Sequence, residues 1–251
     1  MYWLDVIAFI FGLCWGSFLG LVSYRVPRKI SIILPRSFCD ACGDKISAMC
    51  NVPVVSYLAL KGKCKACGAK ISMRYPFIEL ATGVLFVLGV HFFAEDYYYV
   101  LIKWFILITF ILPIIFIDID ERLIPDRFSI GLIVIGFALS FFDPGIKWHE
   151  SLAGIVVGGG ILYLVAELYY RATGRDGMGG GDIKLMAGIG ALMGWYPVII
   201  VIFLSSIIGS LYGIFMMAFF KRSRLTEIPF GPFIGVAALI YYFLSEGGFI
   251  K

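Results

Sequence analysis

Apolar residues fall along this chain in long blocks rather than in a repeating polar alternation, and each block ends at charge, Gly or Pro. Crossing a hydrocarbon layer takes roughly 20 residues of helix. On that measure the blocks predict about eight transmembrane helices, over 3–23, 76–94, 99–117, 128–142, 151–170, 183–196, 198–220 and 230–245, several of them short. The block at 183–196 contains Gly188, Gly190 and Gly194 and reads as a short or partly embedded helix packed closely through its glycines. The fold class expected is an all-α polytopic membrane protein.

Composition agrees. The chain is 61% hydrophobic with only 15% charged residues, and its mean hydropathy of +0.93 is too high for a soluble domain of this size. The net charge of +4 is concentrated in one place. Between Tyr24 and Tyr75, Lys and Arg recur from Arg25 to Arg74 against only Asp40 and Asp44. The positive-inside rule puts this loop in the cytoplasm. Alternation then places the N-terminus outside, and the breaks at 118–127, 171–182 and 221–227 inside, the last with Lys221, Arg222 and Arg224. The acidic breaks at 94–97 and 143–150 fall outside. The basic excess is accounted for by topology and by attraction to anionic lipid, so the lipid bilayer is an expected partner and nucleic acid is not. The first block lacks a basic leading region and a small-residue cleavage site, and reads as a retained helix.

The basic loop carries Cys39-Asp-Ala-Cys42 and Cys64-Lys-Ala-Cys67, two knuckles 21 residues apart, with Gly43 and Gly68 following them. Each knuckle aims two thiolates at one ion, and the glycine supplies the permissive backbone of the turn. Four thiolates fill a tetrahedral shell, so the zinc expected here is structural, and it would help a small loop domain over 24–75 to fold. A disulfide pair is the alternative, disfavoured in a reducing compartment. Cys14 and Cys50 read as apolar packing residues.

Two aspartates stand where apolar helices meet water: Asp118, within Phe116-Ile-Asp-Ile-Asp-Glu-Arg-Leu-Ile-Pro125, and Asp182, ending Gly177-Met-Gly-Gly-Gly-Asp182. Carboxylates at membrane depth are costly, and two brought together resist simultaneous ionisation. One can then activate a water while the other, protonated, polarises a carbonyl. The alternative is that both mark helix ends, Asp182 capping a helix that begins at Ile183. The glycines before Asp182 permit an extended or positive-φ backbone and close approach of another chain, suiting a peptide that pairs as an added strand. The alternative there is a flexible linker.

These residues carry a resemblance. Asp118 with Leu123-Ile-Pro-Asp126, then Gly177-Met-Gly-Gly-Gly-Asp182-Ile-Lys-Leu185, resembles the paired motif of the GxGD membrane aspartyl proteases, specifically the type IV prepilin peptidases. Gly16-Ser-Phe-Leu19, Tyr24-Arg-Val-Pro27, Pro35-Arg-Ser-Phe-Cys39, Asn51-Val-Pro-Val-Val-Ser-Tyr57, Gly62-Lys-Cys64, Ile71-Ser-Met-Arg-Tyr-Pro76 with Glu79, and Pro229-Phe-Gly-Pro232 resemble further signatures in family order. The resemblance implies a bacterial inner-membrane peptidase that removes the leader of prepilins or pseudopilins at the cytoplasmic face, and N-methylates the new amino terminus. Asp118 and Asp182 match the catalytic pair, with Asp120 and Asp126 secondary. Cys39, Cys42, Cys64 and Cys67 match the zinc cysteines of a methyltransferase-associated loop, which divides the chain into a first helix at 1–23, a loop domain at 24–75 and a peptidase membrane domain at 76–251. S-adenosylmethionine is implied as methyl donor by the resemblance alone, and no residue is singled out for binding it. The chain departs from the pattern at Gly20, where many members carry Asn.

Two other readings remain: a GxGD intramembrane protease without methyltransferase activity, and an ion-coupled transporter whose aspartates carry protons, with the zinc knuckles as a regulatory loop. Lys184 reads chiefly as a snorkelling side chain. His91 and His149 match nothing catalytic. Gly154 and Gly158 are placed to pack helices within the chain.

Overall fold

The computed structural model describes residues 2–94, 98–220 and 228–249. The acidic break at Glu95 and Asp96, and the basic break with Lys221, Arg222 and Arg224, lie outside these residues. The described residues form nine α-helices and no strand: α1 Tyr2–Arg25, α2 Val55–Ala59, α3 Arg74–Phe93, α4 Tyr98–Glu121, α5 Asp126–Leu139, α6 Trp148–Thr173, α7 Gly180–Met193, α8 Trp195–Phe220 and α9 Gly231–Glu246. Every expected span coincides with a helix. Five of them, α1, α3, α4, α6 and α8, are long and apolar enough to cross a membrane. With 14 residues in α5 and α7 and 16 in α9, the expected total of about eight crossings is not reached by length and composition.

The chain divides into two compact units, Met1–Pro113 and Ile114–Lys251. The boundary falls inside α4 at Pro113, which lacks the N–H that would continue the helix ladder.

In the first unit α1 and α3 meet through small residues. A Cβ on Gly12 would lie 2.8 Å from the Gly83 Cα, and one on Gly16 2.7 Å from the Glu79 Cα. Both glycines therefore let the backbones touch. Behind this contact, the Trp104 indole donates to the Leu85 carbonyl at 2.8 Å and Trp15 donates to Thr109 Oγ1 at 3.0 Å. Each satisfies the one polar atom of a large apolar ring.

The second unit is built around α7, the most buried of its helices, with Leu185, Met186 and Ile189 fully enclosed. α6 lies against it through Gly154, which faces the Gly190 backbone, and Gly158, which faces the Met186 carbonyl. α5 lies on another side, where Gly136 faces the Ala191 and Leu192 backbone and Gly188 accepts Leu132. The glycines that mark 183–196 in the sequence thus serve close packing within the chain. Ser151 Oγ, fully buried, donates to the Ala191 carbonyl at 2.7 Å. Gly194, at φ +88°, ends α7 and turns the chain directly into α8.

Candidate active site and four-cysteine centre

Three helix ends of the second unit come together around the two aspartates. Asp118 lies in the last turn of α4, because this helix runs on to Glu121 rather than ending at residue 117. Arg122 at φ +53° then reverses the chain, and Leu123–Pro125 leads into α5. In this turn Ile124 is buried as a wedge. A Cβ on Gly181 would lie 2.8 Å from the Ile124 Cβ, and one on Gly231 would lie 3.1 Å from its Cδ1. Ile124 therefore fits only because the first turns of α7 and α9 both present glycine.

Both carboxylates are more than nine-tenths buried, Asp118 at 5% exposure and Asp182 at 9%. They lie near enough for the charge on one to act on the other. Each also holds a backbone donor. The Gly231 N–H, at the first residue of α9, donates to Asp118 Oδ2 at 2.9 Å, and the Gly179 N–H donates to the Asp182 carboxylate. Both donors sit at helix N-termini, whose unpaired N–H groups and dipoles favour negative charge.

Asp182 is not the residue that begins its helix. α7 starts at Gly180 with Gly179 as its N-cap, so Asp182 is in the first turn and reaches back to the cap backbone. The glycine run is correspondingly shorter as extended chain than its composition suggests: Gly180 and Gly181 are helical, and none of Gly177 to Gly181 has positive φ. Their use is close approach. Gly177 lies under the Tyr169 ring, Gly181 against Ile124, and Gly180 faces open space. Lys184, read from sequence as snorkelling, instead pairs with Asp126 at 2.7 Å, tying the first turns of α5 and α7. Asp120 is exposed and outside this cluster of buried groups. His91 pairs with Asp5 at 3.3 Å in the first unit.

Gly231 is the contributor that sequence reasoning passed over. Pro229-Phe-Gly-Pro232 is visible as a signature, but its N–H reaches a carboxylate 113 positions earlier.

The four cysteines of the first unit converge as well. Their Sγ atoms all lie within 4.8 Å of one another, and Cys39 and Cys67 are 3.9 Å apart. A tetrahedral zinc with bonds of roughly 2.3 Å needs sulfurs about 3.8 Å apart, so the set fits the ion. The knuckles are copies of one another. Cys-x-Ala-Cys-Gly-x-Lys-Ile occurs at 39–46 and again at 64–71, a repeat legible in the sequence. In each, the glycine has φ +72° and donates its N–H to the first cysteine's carbonyl, at 2.8 Å for Gly43 and 2.9 Å for Gly68. Antiparallel bridges Phe38 to Lys45 and Lys63 to Lys70 close the two turns.

Two of the thiols are shifted in opposite directions. Backbone N–H groups of Cys67 and Ala66 lower Cys64 to about 7. At Cys42 the Asp44 N–H favours the thiolate, yet the neighbouring thiols of Cys67 and Cys39 push it up to about 12, because further negative charge at this spacing needs a metal to balance it. Cys50 is half-buried and Cys14 is exposed on α1, and both lie outside the cluster.

Comparison with known proteins gives one family across both units. Residues 10–93 match the bacterial peptidase A24 N-terminal domain and residues 105–214 match the type IV leader peptidase family. A prepilin leader peptidase/N-methyltransferase of Pseudomonas putida is 34% identical over 257 residues, covering 93% of this chain and 88% of the relative. Proteins of the same name from Neisseria gonorrhoeae and Pseudomonas aeruginosa are 35% and 34% identical, covering 96% and 92% of this chain and 90% and 87% of theirs. No solved structure matches. On these matches the chain belongs to the type IV leader peptidase family.

Proposed function

We propose that this protein is a prepilin leader peptidase and N-methyltransferase of the bacterial inner membrane, with the cysteine loop and the aspartate pair facing the cytoplasm. The observation that carries the peptidase reading is the meeting of buried Asp118 and Asp182 at three helix ends, each with a backbone N–H on its carboxylate. A prepilin or pseudopilin keeps its basic leader in the cytoplasm and its apolar helix in the bilayer, so the scissile bond arrives at the depth of the pair. One carboxylate removes a proton from water as the oxygen attacks the peptide carbonyl. The other, protonated, donates to the carbonyl oxygen, and the tetrahedral intermediate collapses as the leaving nitrogen takes a proton. Gly180, open to its surroundings, leaves room for an extended substrate backbone beside Asp182.

Cys39, Cys42, Cys64 and Cys67 hold a structural zinc, with no ligand position left for catalysis. In this division of labour the first helix at 1–23 anchors the loop domain at 24–75, which serves methylation, and 76–251 carries the peptidase. S-adenosylmethionine does not fit the two clefts described in the second unit. One of about 630 Å³ is lined only by apolar residues such as Ile133, Phe137 and Leu152, and the other by Phe203, Ile207 and Leu211 with two serines. Neither offers the charged partners that an ammonium and a carboxylate require. The transporter reading has no comparable support, since the matched relatives carry the peptidase name.

The test is reconstitution of the purified protein in bilayers with a prepilin substrate and S-adenosylmethionine, reading the new amino terminus by mass spectrometry. Wild type cleaves and methylates, while Asp118→Asn and Asp182→Asn express, keep zinc and leave the leader uncut. Retained turnover in both variants rejects the acid–base pair, and cleavage without methylation reduces the reading to a peptidase.

A further inference from the structure

Glu79 is a carboxylate with no part in the aspartate chemistry, yet it is 8% exposed inside a membrane-spanning helix. It lies where α1 and α3 approach most closely, opposite Gly16, and Ser17 of α1 donates its hydroxyl to it. Its second partner comes from the loop: the Val54 N–H donates to Glu79 Oε2 at 2.7 Å.

Val54 has φ +59° and ψ −49°, a conformation that a β-branched residue avoids and that persists only where its surroundings impose it. Glu79 is the group that holds its N–H in that direction. The consequence runs onward through the loop. Val54 precedes α2, whose Tyr57 lies over Gly62 and donates to Met73 Sδ at 2.8 Å. Gly62 in turn accepts the Ile71 N–H at 2.8 Å, clasping the knuckle of Cys64 and Cys67. The other knuckle has a separate tether, since Asp40 accepts from the Tyr24 hydroxyl of α1, and Arg25 binds the carbonyls of Ser31 and Arg36 at 2.8 and 3.4 Å. The cysteine module is thus docked on the helix pair rather than suspended from it.

We propose that Glu79 is a positioning residue for amino-terminal methylation: anchored by Ser17, it fixes Val54 and, through α2 and Tyr57, sets the second cysteine knuckle on α1 and α3. This rests on the reading of the loop as the methyltransferase part, and it assigns Glu79 no part in cleavage.

The test uses the full-length protein in bilayers with a prepilin and S-adenosylmethionine, comparing wild type, Glu79→Ala, Glu79→Gln and Ser17→Ala. Two quantities are read: hydrogen exchange across Val54–Leu60, and the separate rates of cleavage and methylation. Losing this buried hydrogen bond should speed exchange and slow methylation by about tenfold or more in Glu79→Ala, with cleavage and zinc content held. Glu79→Gln keeps an acceptor oxygen and restores most of the methylation, and Ser17→Ala, a milder change, falls between. Unchanged exchange and methylation in Glu79→Ala overturn the proposal. So does an equal loss of both activities, which marks general structural support, and so does inactive Glu79→Gln with normal exchange, which marks direct chemistry. A wild type that cleaves but never methylates fails the functional reading itself, and the exchange measurement, needing no turnover, tells that failure from the loss of the dock.

Discussion

The Gly231 N–H and Asp118 Oδ2, 2.9 Å apart, join the first residue of α9 to the last turn of α4 across 113 positions. The bond needs glycine twice over. A Cβ at 231 would stand 2.8 Å from the same oxygen and would press on Ile124, which separates the turns carrying the two aspartates. Gly231→Ala should therefore displace Asp118 without removing any ionisable group. Misplacement of a reacting group by even part of an ångström costs about ten- to a hundredfold in rate. We expect such a fall in kcat for leader cleavage with near-normal expression, measured on reconstituted protein. Wild-type turnover in Gly231→Ala would mean that Asp118 is free to move without consequence.

Lys184 and Asp126 invite the opposite expectation. Their 2.7 Å pair bridges α5 and α7 two residues from Asp182, but the side chains are 45% and 58% exposed. Exposed pairs contribute about 1 kcal/mol or less. Lys184→Ala should lower thermal stability only slightly and slow cleavage by no more than a few-fold, because Ile124 and the glycines already fix the turn. A loss as large as that of Asp182→Asn would show that the ammonium takes part in the chemistry.

Much of this architecture is legible in the chain. The eight apolar blocks coincide with helices because hydrophobic length is a local property. The two knuckles are legible because their turns are made by nearest neighbours, the positive φ of Gly43 and Gly68 included. The start of α7 is not legible, since Gly180 and Gly181 are poor helix formers, and the Ile124 that packs against Gly181 comes from a turn far away in the chain. The same holds for Val54 at φ +59°, a residue whose side chain argues against the conformation it adopts under the hold of Glu79. The sequence marks Asp118 and Asp182 as exceptional but contains no sign of the donors Gly231 and Gly179, because backbone N–H groups have no letter.

The cysteine centre should bind one zinc per chain and lose it in two ways. Cys64→Ser removes the thiolate most favoured by backbone donors, and acidification protonates the ligands together, so metal content falls with pH. In either case methylation should disappear, while cleavage, performed in the second unit, persists at least in part. Metal analysis alongside the two activity measurements checks this. Cleavage lost in strict proportion to zinc would tie the metal to the peptidase instead.

Gly154 and Gly160 sit six residues apart on α6 and make a paired test of how the second unit is packed. A Cβ at Gly154 would run into the Gly190 carbonyl, whereas one at Gly160 meets nothing within 4 Å. Gly154→Ala must push α6 from α7 and should cost about 1–3 kcal/mol, as overpacked cores do. Gly160→Ala adds helix propensity without a clash and should gain up to about 1 kcal/mol. Thermal unfolding in one detergent reads both, and opposite signs are required. Since α7 carries Asp182, the Gly154 variant should also cleave more slowly at temperatures where it is still folded, and equal behaviour of the two variants would show that the α6–α7 contact does not set the position of the aspartate.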